Sequence, residues 1–135
     1  MSAPTSLANL SFLTPGNYPD EDPAAGLEDT LRLFEFGERL GVDGAWVRQR
    51  HLEHGVGSAA VFLAAAGQRT RRIQLGTAVI PIGYESPFRL AEDLAMADIL
   101  SGGRLISPPH RPGPPGSGRG GPGDRPVRQR RSHHS

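Results

Sequence analysis

The sequence of 135 residues has no cysteine, which excludes a disulfide framework, thiolate metal sites and a cysteine nucleophile. That absence fits a reducing compartment, and the cytoplasm is the expected location. Lysine is also missing, so all 15 basic residues are arginine. In a chain this rich in alanine, glycine and proline, the bias points to GC-rich coding DNA, not to a function. Long apolar runs are absent as well: nowhere do about eighteen apolar residues stand together, and no membrane-spanning helix is expected. The stretch from Met1 to Leu10 lacks a basic region and an apolar run, so no signal peptide is expected either. Metal ligands are sparse. His51 and His54 lie three apart, but the remaining histidines are His110, His133 and His134, and no zinc-type cluster accompanies them. No metal is expected.

What is present falls into two unlike parts. A formal net charge of +1 hides the division: up to Leu105 acidic residues outnumber arginines, whereas beyond it Asp124 alone faces six arginines. The first part, residues 1–105, reads as one modest folded unit. Leu10-Ser11-Phe12-Leu13 is a short apolar run closed by Thr14-Pro15-Gly16, as a buried strand ending in a turn would be. From Ala24 the spacing turns helical, with Leu27, Leu31, Phe34 and Leu40 on one face and Gly41 at the C-terminal cap. Ala45-Trp46-Val47 predicts a second strand. Ser58 then caps a helix running to Gln68-Arg69-Thr70, and Ile73 to Ile80, rich in β-branched residues and closed by Pro81, predicts the third strand. A last helix is predicted over Pro87 to Leu100, stopped by Ser101-Gly102-Gly103. Strand alternating with helix three times is the pattern of right-handed βαβ units on a parallel sheet.

Three segments carry a family resemblance: Glu38 to Val47 (ERLGVDGAWV), Arg69 to Val79 (RTRRIQLGTAV) and Arg89 to Leu105 (RLAEDLAMADILSGGRL). In this order, behind an opening apolar strand, they resemble the luciferase-like flavin-dependent monooxygenases. The fold this implies is α/β, a (β/α)8 TIM barrel whose usual length is about 250 residues. Residues 1–105 would supply its first three βα units. The resemblance also implies FMN, or the deazaflavin F420, at the carboxyl ends of the strands, with oxidation of a small organic substrate as the chemistry.

The same resemblance nominates site residues. Many relatives carry Glu-His-His after the second strand, the first His acting near the flavin as acid or base; the matching positions are Gln49-Arg50-His51. Arg50 cannot exchange protons near neutral pH, although it can pair with an anionic substrate or reduced flavin. His51 is retained, and His54, with Glu53 as its partner, is a candidate substitute. The competing reading makes Arg48, Arg50 and Glu53 a solvated charged loop. Gly76, Thr77, Ala78 and Val79 match the segment that the family places under the isoalloxazine ring, often with a cis peptide after the alanine, which would be Ala78-Val79. Small residues there would let the backbone approach a flat ring; an ordinary buried strand is the alternative. Trp46 and Phe12 are assigned to the core. Glu92, Asp93 and Asp98 are expected to face solvent or a neighbouring arginine.

From residue 106 the text changes to Pro, Gly, Arg, Ser and His, expected to be disordered. The switch at Leu105 is what a shifted reading frame in GC-rich DNA would produce. Gly118, Gly120 and Gly123 spell G-x-G-x-x-G, but no strand precedes them and Pro122 interrupts any following helix. On this reading the chain is a shortened flavin oxidoreductase, inactive alone, with a second copy or a complementary fragment as partner. The alternative is a non-enzymatic chain that binds a partner or nucleic acid through its basic tail, although the tail lacks interleaved aromatic residues.

Overall fold

The computed structural model describes residues 8–106. Expectations placed on 107–135, including the basic tail and the glycine pattern, lie outside the described residues. The chain runs β1 (Ser11–Thr14), α1 (Pro23–Leu40), β2 (Gly44–Val47), α2 (Ala59–Arg69), β3 (Gln74–Thr77), a 3-10 turn (Ile82–Tyr84), α3 (Pro87–Leu100) and β4 (Leu105–Ile106). The four strands form one parallel sheet in sequence order. Three βα units are therefore followed by the start of a fourth strand. Ile106, expected to belong to the tail, pairs with Gly76.

The helix ends follow local chemistry. The Asp22 carboxylate accepts from the Ala25 N–H, Pro23 occupies the first turn where its missing donor costs nothing, and Gly41 closes α1 at φ 81°. Ser58 caps α2 through the Val61 N–H. α3 spans the predicted Pro87–Leu100. By contrast β3 is shorter than the predicted Ile73 to Ile80. Beyond Thr77 the backbone leaves the ladder for the loop after β2: Ala78 N–H donates to the Val47 carbonyl, and Gln49 N–H to the Val79 carbonyl.

Alternation along the strands sorts the sheet into two faces. The register row Phe12, Ala45, Leu75, Leu105 faces the helices. Ala45 and Leu75 are fully buried there with Phe34 and Leu63, Phe62 and Ile73 nearly so, and Phe34 meets Phe12 and Phe62 edge-on at 5.6 and 5.3 Å. The next row, Leu13, Trp46, Gly76, Ile106, lies on the opposite face. Leu40, expected on the buried stripe of α1, is 65% exposed; Thr30 and Gly37 are buried there instead. Gly37 leaves room for Phe12, since a Cβ at that position would stand 2.5 Å from the Phe12 ring.

At the amino end of β3 the Glu38 carboxylate accepts hydrogen bonds from the backbone N–H groups of Arg71, Arg72 and Ile73, at 2.6 to 3.0 Å. Burial acts to raise its pKa, but the three donors and the Arg72 charge outweigh burial and hold the carboxyl below the ordinary glutamate value. The unfolded chain thus takes up this proton first as pH falls. The contribution is complete above the ordinary glutamate range and is lost as pH drops through the lower folded value. Glu38→Gln is expected to cost about 1 kcal/mol near neutral pH, discounted for its partial exposure. Urea unfolding of both proteins at neutral and acidic pH checks this: the gap between them should close in acid, and a constant gap would contradict the assignment.

Candidate functional site

The carboxyl ends of the parallel strands gather most of the residues nominated from sequence. Gly76, Thr77, Ala78 and Val79 all line an apolar hollow of about 850 Å³, together with Trp46 and Leu90. Val79 also lines a second pocket of about 370 Å³ with Arg48, Gln49, Arg50, His51 and Tyr84. The two spaces therefore meet at Val79. The Ala78-Val79 peptide is cis, as the resemblance implied. Thr77 Oγ1 is buried and has no hydrogen-bond partner among the described residues.

Gly76 has a close neighbour in the sheet. A Cβ there would stand 2.4 Å from the Trp46 ring, so within the chain the glycine makes room for an indole. Trp46 is only partly buried, on the face away from the helices.

The loop after β2 carries the polar side of the site. Arg50 Nη1 pairs with Glu53 at 3.0 Å, and Arg48 Nη2 approaches the same carboxylate at 3.4 Å. Arg48 Nε is buried without a partner among the described residues. This corrects the expected Glu53–His54 pair. His54 Nδ1 instead pairs with Asp20, its ring stacks on Tyr18 at 6.1 Å, and it does not line the pocket that holds Arg50 and His51. His51 is held against the segment after β3: its ring is 5.1 Å from that of Tyr84, and its Nε2 is 3.2 Å from Gln49 Nε2 and 3.7 Å from Glu85 Oε1. Leu52, at the tip of this loop, has φ 58° and is fully exposed.

Two participants escaped sequence reading. Gln49 registered only as a departure from Glu, and Glu85 not at all, although Gln49 is 3% exposed and bonds to Glu85 and to the Ala59 N–H. The available signal was a polar side chain two residues past the end of β2. Among the described residues no three His, Cys, Asp or Glu side chains are grouped to hold a metal ion. No helix there is long and apolar enough to cross a membrane. Glu92 and Asp93 pair with Arg89, while Asp98 accepts from the Leu105 N–H.

Comparison with known proteins identifies the group. A family model for luciferase-like monooxygenase matches residues 9–107. The chain belongs to the luciferase-like monooxygenase family. It is 39% identical over 98 residues to limonene 1,2-monooxygenase of Rhodococcus erythropolis, covering 71% of this chain and 25% of that protein. It is 34% identical to the F420-dependent glucose-6-phosphate dehydrogenase of Amycolatopsis mediterranei, over 60% of this chain and 26% of that one. Among solved structures, monooxygenase RslO1 from Streptomyces bottropensis superposes with TM-score 0.61 at 36% identity, over 72% of this chain and 30% of its own. The oxygenating constituent of 3,6-diketocamphane monooxygenase from Pseudomonas putida, in complex with FMN, superposes with TM-score 0.66 at 14% identity, over 73% and 28%, which supports the fold alone. The chain spans about a quarter of the length of the curated relatives it matches. The oxygenase component of flavin-dependent trigonelline monooxygenase of Acinetobacter baylyi is also similar, 29% identical over 58% of this chain and 22% of that protein.

Proposed function

We propose that this chain carries the first part of a flavin-dependent oxidoreductase site, with FMN or F420 against the Thr77–Val79 wall and a small organic substrate beside Arg50 and His51. The observation that carries the reading is the meeting of two chemically different spaces at Val79: an apolar hollow and a pocket rich in hydrogen-bond donors, at the carboxyl ends of parallel strands. The residues fit such a group. Ala78, Val79 and Ile80 give an apolar wall for a flat ring, and the partnerless Thr77 hydroxyl supplies a hydrogen bond to a polar ring edge.

When bound, the flavin supplies the redox step. The chain's own part is binding, orientation and charge. Arg50 stays protonated and cannot serve as a base, so at the position where relatives carry a catalytic-type His it compensates negative charge on substrate or reduced cofactor. Tyr84 and Gln49 hold the His51 ring at the rim. Val79 and Ile82 are 74% and 66% exposed, so this wall does not exclude water. Turnover is accordingly assigned to a barrel closed by further strands, and the chain alone to binding without turnover.

Titration of the purified chain with FMN and with F420, followed by flavin fluorescence, is expected to give binding on the order of 0.1 mM, weak because the ligand is half covered. Absence of any response to either at millimolar concentration would refute the reading. Thr77→Val supplies the finer test. It should weaken binding about fivefold, one hydrogen bond's worth, while stability stays level or rises because an unsatisfied buried hydroxyl is removed. Unchanged affinity, or a lowered melting temperature, would place the hydroxyl elsewhere.

A further inference from the structure

The state of one imidazole at this site follows from the orientation of one buried amide. Gln49 Oε1 accepts from the Ala59 N–H at 2.9 Å, and a backbone N–H can only donate. The amide oxygen therefore faces α2, and the Nε2 group carries its two hydrogens towards Glu85 and His51. Glu85 Oε1 accepts the first. The second points at His51 Nε2, 3.2 Å away. Two N–H groups cannot share that contact, so His51 Nε2 must offer its lone pair. Glu85 Oε1 is 3.7 Å from His51 Nε2, beyond hydrogen-bond range, and offers no competing acceptor at that distance. In a neutral imidazole the proton then resides on Nδ1.

We infer that Gln49 holds His51 in the Nδ1–H tautomer, so that this imidazole presents a donor, and not a base, to the ligand bound beside Arg50. Arg50 is also a pure donor. A ligand group seated between these two donors is consequently an oxygen acceptor, a carbonyl or carboxylate oxygen; the Glu53 carboxylate, which lines the same pocket, is engaged by Arg48 and Arg50. The ligand part rests on the reading above that this pocket faces the substrate; the tautomer itself is measurable with nothing bound.

The experiment is a long-range proton–nitrogen correlation spectrum of the full chain labelled with nitrogen-15, recorded above the titration range of imidazole. His51 signals are assigned by their loss in His51→Gln. Expected is a pyrrole-type shift for Nδ1 and a pyridine-type shift for Nε2. The charge-conserving pair Gln49→Glu with Glu85→Gln makes position 49 an acceptor and should reverse the pattern. Glu85→Gln alone leaves Gln49 as the donor and should preserve it. An Nε2–H pattern in the parent chain overturns the inference, as does a pattern indifferent to the swap. If the swapped protein does not fold, the parent and Glu85→Gln spectra still decide. Failure of FMN and F420 to bind would remove the flavin reading and leave these spectra unaltered.

Discussion

Replacing Arg104 with alanine is expected to destabilise the fold by about 2–4 kcal/mol, as loss of a half-buried charged donor from a hydrogen-bond network does. The guanidinium reaches back from the turn before β4 and donates to five acceptors: the carbonyls of Ser101, Ile73, Gly67 and Thr70, and the Thr70 hydroxyl, at 2.6 to 3.1 Å. Burial pushes its pKa down, yet arginine remains protonated at any working pH, so a full charge is held by backbone dipoles. Thr70 is completely buried, and truncation would leave its hydroxyl without a donor and its carbonyl with only the longer bond from Arg71 Nη1 at 3.4 Å. Domains of ordinary stability have about 5–15 kcal/mol in total, so the alanine variant should lose a large share of its stability and unfold at a clearly lower urea concentration than the parent. Arg104→Lys should recover only part of the loss, because an ammonium cannot span acceptors from α2, the α2–β3 turn and the α3 end with a planar fork. Urea unfolding followed by circular dichroism measures both. A lysine variant as stable as the parent would mean that charge alone, without the fork, suffices.

Arg104 also marks the limit of what the sequence disclosed. Glycine and proline punctuation made α3 legible to the residue, and Gly41 did the same for the end of α1, because both signals act within one turn of the chain. The parallel order followed from alternation of strand and helix. Arg104 was visible only as a letter in a family segment, since its acceptors come from separate elements that meet only after folding. Gln49 was opaque for the same reason: its partners Ala59 and Glu85 lie on other segments. His54 was misread because adjacency in sequence suggested Glu53, whereas the folded loop gives Glu53 to two arginines and His54 to Asp20. The packing of Gly76 against Trp46 is invisible in the sequence, because the two residues become neighbours only once β2 and β3 pair.

Gly76→Ala should therefore act on the site through Trp46. The added methyl would stand 2.4 Å from the indole, far inside contact distance, and the neighbouring strands hold β3 in place through ladder hydrogen bonds on both sides. The indole must move, and because it lines the hollow with Val79 and Leu90 its displacement reshapes that space. Such overpacking costs about 1–3 kcal/mol, and a reshaped ligand space should lower flavin affinity about tenfold or more. The chain has 1 tryptophan, so its fluorescence reports this movement without interference. Combining Gly76→Ala with Trp46→Leu separates the steps: removing the ring should restore most of the stability lost to the clash, because the methyl then occupies space the indole has vacated. If Gly76→Ala alone leaves the emission spectrum, the unfolding midpoint and flavin affinity where they were, then Trp46 does not rest on this glycine, and the packing that forms the floor of the hollow has been assigned to the wrong pair.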